Sequence, residues 1–526
     1  LAVLAAVPLA LSLASAPARA QYGEPLESPT PAAQNPTTLP GRDRTRVRLF
    51  EPSIAVQVTA TDNVDLSPEG HRTSDLVTTI TPGLHMRWHT AHSTFDGDVA
   101  AHVLIYARTG DRHNEIRPDV HMVGNAELVE NRVYVDGSVQ ISQQYLTPFG
   151  SRPPGLESVT ANRYSSETYR VSPFVRGKSG DVEYEVRDNN VWTNLSQTSS
   201  ALSGSYVNQV LAHATRTESV LGWSLEYERT EVQFRDQPPF ITELGRLRVP
   251  YRVSTDLEVS ASGGYEHNRY PLITYSDVIY GGGFRWHPNP RTAVDANAEH
   301  RFFGTSYLVS LRHRTPLALF TARFSRNVTS YPEQIASLPA GVSVPLVLNE
   351  IFRSRIPDPT QRLEFVEQFI NDRGLPQVLG EPISIYTQQI YLHESASVSA
   401  GWLSARNTVI LTVFRSRTEP ITASGTALPP PLAGSLNNTQ WGGSLTWTTR
   451  LRPRLSLVTS LDAYRTESNG LLGVNSEQAF FRSVLTSPIA PNTTAYAGVL
   501  AQAFRSTTLA SYHEEAIYVG FTHVFH

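Results

Sequence analysis

Glu183, Glu185 and Arg187 alternate with Val182, Tyr184 and Val186 in the run "DVEYEVRDNNVWTN". Arg176, Glu226, Glu228, Glu258, Arg323, Arg415 and Arg417 stand in similar runs, each beside apolar neighbours. Successive side chains of a strand point to opposite faces, so these runs build a sheet with one charged and one apolar face. Carboxylates and guanidiniums gathered on one wall hold water and ions. Facing hydrocarbon, each would cost kcal/mol, so these residues are expected to face a lumen. Both signs are present, which suits a hydrated passage for a polar solute rather than a strongly anion- or cation-selective one. The same residues also fit a plugged interior in which the charges only pair with one another.

Little else has the spacing of a site. His85 and His89 share a face of one strand but stand about 13 Å apart, too far to hold one metal ion. His300 and His313 fall in adjacent strand-like runs, where polar wall residues are the simpler reading, and no metal site is expected. No Gly-x-Ser-x-Gly elbow or phosphate loop occurs. The glycines of "YGGGF" (280–284) suit an extended strand better than a phosphate cradle. Ser, His and Asp are numerous, and a triad depends on proximity rather than spacing. No catalytic residue is assigned, no cofactor is implied, and an enzyme is not expected.

These residues must be positioned by a sheet. The chain has 526 residues, a formal net charge of -4 and a mean hydropathy of -0.25. That balance argues against a bundle of apolar helices and gives no nucleic-acid signature. Lys178 is the only lysine, and there is no cysteine. Disulfides, thiolate metal sites and cysteine nucleophiles are therefore excluded. Residues 1–20, "LAVLAAVPLALSLASAPARA", read as an incomplete secretory signal peptide, an apolar stretch ending in a small-residue cleavage site. Cleavage after Ala20 would leave Gln21 first. Residues 21–45 are rich in Pro and Thr and read as a periplasmic linker. No later run of about 18 apolar residues offers a transmembrane helix.

From residue 46 to 526 the chain reads as about 22 period-two runs, within a range of roughly 16 to 24. Short links such as "KSGD" and "HPNPR" alternate with long ones at 60–74, 147–162 and 331–388. The link near 304–306 is short where a long one is expected. This predicts an all-β fold, a large transmembrane antiparallel β-barrel with periplasmic turns, extracellular loops and both termini periplasmic. Closure is required because an open edge would strand backbone groups in lipid. The last run, "YHEEAIYVGFTHVFH", puts Ile517, Val519, Phe521 and Phe525 on one face, as in the aromatic final strand of outer-membrane barrels. One helix is predicted over 359–373, with Asp358 as cap, Pro359 at its first position and Gly374 at its end. Leu363, Val366, Phe369 and Ile370 make its apolar face. It lies within 331–388, which is expected either to plug the lumen or to cover the extracellular mouth.

"TATDNVDLSPEGHRTSDLVTTITPGLHMRWH" (59–89) carries Thr61-Asp62-Asn63, Asp75 to Thr79, and Thr81-Pro82-Gly83. With "NAELVENRVYVDGSVQISQQ" (125–144) and "FVEQFINDRGLP", it resembles a family of outer-membrane β-barrel proteins associated with the PEP-CTERM/exosortase system. The resemblance extends over most of the mature chain. It implies the outer membrane of a Gram-negative bacterium and a setting in exopolysaccharide production and protein sorting, and it brings no catalytic residues. The expected partners are outer-membrane lipid, the barrel assembly machinery, and exopolysaccharide or components of its export system. No nucleic-acid partner is expected. Two functions follow: a channel or export conduit for a polar solute, or a plugged structural or assembly barrel without transport.

Overall fold

A computed structural model describes residues 47–525, apart from 197–203, 217–219, 235–237, 272, 332, 334–343, 354–355, 357–361, 363–364, 367–388, 422–436 and 471–472. The expected signal peptide and linker lie outside the described residues. The strands are β1 (Val47–Thr61), β2 (Asp75–His89), β3 (Ser93–Tyr106), β4 (Glu115–Val129), β5 (Val133–Tyr145), β6 (Arg163–Ser179), β7 (Val182–Leu195) and β8 (Ser205–Arg216). They continue as β9 (Trp223–Phe234), β10 (Phe240–Arg252), β11 (Leu257–Arg269), β12 (Thr274–Asn289), β13 (Thr292–Arg301), β14 (Gly304–Arg314) and β15 (Ala318–Ser330). The last seven are β16 (Ile390–Leu403), β17 (Asn407–Pro420), β18 (Asn438–Arg452), β19 (Leu455–Ser468), β20 (Asn475–Ala490), β21 (Thr493–Ser506) and β22 (Tyr512–Val524). A single helical turn, α1 (Gly110–His113), follows β3, and a longer helix, α2 (Val344–Phe352), lies between β15 and β16.

Each strand pairs antiparallel with its neighbours in sequence, and β1 pairs with β22 from Ser53↔Val524 to Thr61↔Ala516. The 22-stranded sheet is thereby closed, as the period-two pattern and alternating links predict. Closure gives the edge strands partners, which a sheet surrounded by lipid requires. The short link near 304–306 is the two-residue turn at Phe302 and Phe303. Gly304 follows it at φ +100, a conformation that other residues rarely adopt.

The two faces of the sheet differ in chemistry. On β17, Leu411 and Val413 are exposed on the face opposite buried Ile410, Thr412 and Phe414. On β22, Ile517, Val519 and Phe521 are exposed opposite buried Ala516 and Tyr518. Phe525 is also exposed, just past the end of that strand. This apolar face is the outer one, because chain segments inside the barrel pack against the other. Aromatic side chains flank the outer band. Trp88, Trp286, Trp402 and Trp447 stand toward the short turns; Tyr265, Tyr280, Trp441 and Phe481 stand toward the long loops. An apolar belt between aromatic girdles is the outer surface of a membrane-spanning barrel.

Arg415 and Arg417 depart from the expectation of a lumen position. Pairing places them on the outer face with Leu411 and Val413, Arg415 opposite Trp441. Both lie beyond the apolar belt, toward the loop end, where a charge can reach water. Arg415 stands 4.9 Å from the Trp441 ring and Arg417 pairs with Glu419. Period two alone gives alternation; the depth of each residue along the strand has to be known as well.

The predicted helix at 359–373 is only partly described: Arg362, Phe365 and Val366 are helical. Leu363, Phe369 and Ile370 lie outside the described residues. Val366 is buried, with α2 as neighbour in one apolar cluster. Helix α2 was not predicted, although Val344, Val347, Leu348 and Ile351 have the i, i+3, i+4, i+7 spacing of a helix face.

Candidate functional site

The inner wall of the barrel carries the charges that its strands alternate with apolar residues. Arg176, Glu183, Glu185, Arg187, Glu226, Glu228, Glu258 and Arg323 all occupy positions of the inner face. Many are paired. Arg187, almost wholly buried, donates to Asp136 at 2.5 Å and Glu185 at 2.9 Å, and lies 3.8 Å over the Phe174 ring. Arg176 lies 4.2 Å over the Tyr134 ring. Arg246 bridges Glu226 and Glu299, the latter at 2.5 Å, while Arg285 bridges Glu258 at 3.4 Å and Asp295 at 3.3 Å. Glu228 accepts from Gln209 at 2.8 Å. Arg323 has no carboxylate partner among the described residues and is exposed inside the barrel. Asp98 and Asp119 are likewise inward-facing, with side chains 65% and 60% exposed. Exposed charges on an inner wall mean that water reaches them.

The wall is not uniform. From Tyr391 to Gly401, Ile410 to Thr418 and Asn438 to Thr448, the inner positions of β16, β17 and β18 carry no Asp, Glu, Lys or Arg. They are mainly hydroxyls and small residues, Ser399, Thr412, Ser416 and Ser444 among them, and these four are buried. Helix α2 sits on this side. Its Val344, Val347, Leu348 and Ile351 pack with the inward-facing Leu319, Leu403 and Ile410. Gly401 makes the close approach possible, since a Cβ there would meet Val347 Cγ1 at 2.9 Å. Arg314 Nη1 donates to the Glu350 carbonyl at 3.3 Å, and Arg312 pairs with its carboxylate at 3.3 Å. These wall residues all lie near the short turns. The segment between β15 and β16 leaves and rejoins the sheet at the opposite end, so α2 has crossed the lumen. Of the two expected positions for 331–388, the described part takes the lumen. The apolar face of the helix thus meets apolar wall residues, while its Glu350 meets the two arginines, so no charge is covered without a partner.

The mouth of this segment is anchored too. Glu333 accepts from the Ser330 backbone at 2.6 Å and from its hydroxyl at 2.9 Å, and burial pushes the Glu333 carboxyl up to about 7. Tyr331 meets the Tyr164 hydroxyl from across the barrel.

A second segment folds inward, which the sequence reading did not anticipate. The 146–162 loop leaves between β5 and β6 and reaches β19, β20, β22 and β1. Gln478 donates to the Gly150 carbonyl at 3.0 Å, Ser158 to Glu514 at 2.9 Å, and Gln57 to Glu157 at 2.6 Å. Arg163 gathers the carbonyls of Pro153, Gly155, Leu156 and Ser158. Burial pushes the Arg152 guanidinium of this loop down to about 10. The only sequence signal is that the loop is long and rich in residues that turn the chain. Its partners on β19, β20 and β22 lie more than 300 residues away and Gln57 on β1 lies 100 away, so no local pattern reports them.

No family model matches the chain, and no curated protein matches it. Solved structures align over most of its length at low similarity. A mutant of the ferric enterobactin receptor PfeA of Pseudomonas aeruginosa, in complex with enterobactin, shares 11% identity, covering 90% of this chain and 81% of that chain at a TM-score of 0.47. The FrpB iron transporter from Neisseria meningitidis shares 8%, covering 90% and 82% at 0.44. Pseudomonas aeruginosa OpdO shares 7%, covering 91% and 98% at 0.33. These are similarities of general barrel architecture. The closed sheet, its apolar belt and its wet interior make this chain an outer-membrane β-barrel.

Proposed function

We propose that the protein is an outer-membrane conduit for a polar solute, narrowed by its own chain. The short turns, and with them the start of β1 and the end of β22, face the periplasm in this reading. The observation that carries it is the division of the inner wall. Helix α2 lies on apolar residues of β15 to β17, with Arg312 and Arg314 of β14 on its Glu350, while Asp98 and Asp119 on β3 and β4 stay exposed to water. A wall carrying both signs, with an Arg323 that has no carboxylate partner among the described residues, suits a neutral or weakly charged hydrophilic chain. The family resemblance makes exopolysaccharide the solute to test first. No catalytic step is needed for such a role.

A second reading is a plugged structural or assembly barrel without transport. It is favoured by the extent of internal pairing around Arg187, Arg246 and Arg285 and by the apolar seat of α2. One experiment separates the two. The chain has no cysteine, so Val347→Cys with Gly401→Cys adds the only thiol pair, at a contact close enough to bridge. The variant is then assayed for ion conductance in planar bilayers, oxidised and reduced. Conductance in both states is expected. Conductance only after reduction would make α2 a gate. None in either state would overturn the conduit and leave the structural reading.

A further inference from the structure

The inner faces of β2, β3 and β4 bring several imidazoles and carboxylates together. His85, Asp98 and His121 are consecutive partners across the three strands, and all point inward. Asp96 stands two residues from Asp98 on the same face. His102 and Asp119 lie toward the loop end of this row, 4.0 Å apart. His85, Asp98, Asp119 and His121 line one cavity of the wall, open to the lumen, about 250 Å³ in volume.

We propose that this row binds a divalent first-row transition ion of the zinc type, with His85, Asp96 and Asp98 as ligands and His121 as the neighbouring imidazole available to complete the set. The ligand atoms of the first three lie within 4.8 Å of one another. Nδ1 of His85 is 2.8 Å from Oδ1 of Asp98. Zinc bonds of about 2.0–2.2 Å place tetrahedral ligands about 3.3 Å apart, so small side-chain rotations bring these atoms to ligand spacing. Asp96 keeps Arg87 on Oδ2 at 2.8 Å, which orients the carboxylate. The mixture of imidazole and carboxylate selects zinc, cobalt, nickel or copper over calcium or magnesium, which take oxygen ligands. A strand pair presents such groups rigidly, because cross-strand register fixes their separation.

The spacing of His85 and His89 along one strand gives no such site. It is the ladder across strands, invisible in the linear pattern, that brings His85 to Asp98 and His121.

The mature barrel in detergent is titrated with Zn²⁺ by calorimetry, and with Co²⁺ by its visible ligand-field absorption. The comparison set is His85→Ala, Asp98→Asn, His121→Ala and, as a control on the outer face, His313→Ala. Saturable binding of one ion is expected, at least tenfold weaker in His85→Ala and Asp98→Asn, and unchanged in His313→Ala. Circular dichroism establishes that each variant is folded, and Asp98→Asn preserves the side-chain shape where an alanine would not. Absence of saturable binding by the unsubstituted protein would overturn the proposal. So would equal affinity of folded His85→Ala and Asp98→Asn. Binding that survives these substitutions but is lost in a His102→Ala variant would place the ion elsewhere and also refute the assignment.

Discussion

Leu348→Ala should loosen helix α2 from the wall without opening the sheet. Leu348 is fully buried between the helix and the inner residues Leu319, Leu403 and Ile410. Truncating a packed leucine removes its transfer free energy and leaves a cavity, together about 2–5 kcal/mol. At about 1.4 kcal/mol per tenfold, the ratio of docked to undocked helix falls by roughly 30-fold at the low end and several thousand-fold at the high end. The strands keep their ladders, because no backbone group of β15, β16 or β17 depends on Leu348 for a partner. Hydrogen exchange reads this directly: the amides of 344–352 should exchange faster by the same factor, while those of the three strands stay as they were. Gly401→Val should do the same from the opposite side, since its side chain would enter the space of Val347 and Ile351. Unchanged exchange of α2 in both variants would refute the reasoning, and so would equal acceleration in helix and strands.

Arg187→Ala should cost about 3–5 kcal/mol of unfolding free energy, because Asp136 and Glu185 are left mostly buried without their cation; urea unfolding in lipid vesicles measures it. The anchor at Glu333 should depend on pH. Its folded value of about 7 lies above the ordinary 4.5, so the carboxyl is bound in its neutral form, the anchor is strongest below about 4.5, and it weakens as pH rises to about 7. Proteolysis of the 331–388 segment should therefore accelerate over that window, and Glu333→Gln should flatten the dependence. Ile517→Arg puts a charge on the outer belt and should cost about 2–4 kcal/mol near mid-membrane and less toward an interface, read by the same urea assay.

The sheet was legible because a barrel strand must alternate: one face meets lipid and the other water, and each run carries that constraint within a dozen residues. Glu183, Glu185 and Arg187 occupy the inner face by this logic alone. Arg415 and Arg417 obey the same alternation but with the opposite phase. Charge alone does not mark the inner face, because beyond the belt the outer face is also wet. Helix α2 was legible in principle from Val344, Val347, Leu348 and Ile351. Its second position is a proline, and it is shorter than the apolar pattern over 359–373. The reach of the 146–162 loop to Glu514 and the seat of α2 on Gly401 join parts distant in sequence, and the pairing of His85 with Asp98 depends on the register of β2 against β3. Such contacts follow from register and closure, which single-strand patterns leave open.

The helix inside the barrel is strung between two adjacent strands, β15 and β16, and both of its tethers leave from the same rim. The two strand ends that bound its segment, Ser330 and Ile390, are themselves partners on one rung of the ladder. Lifting α2 off Leu319, Leu403 and Ile410 therefore requires no strand pairing to break. The position of the helix and the integrity of the wall are two separate properties, set by the order of the strands.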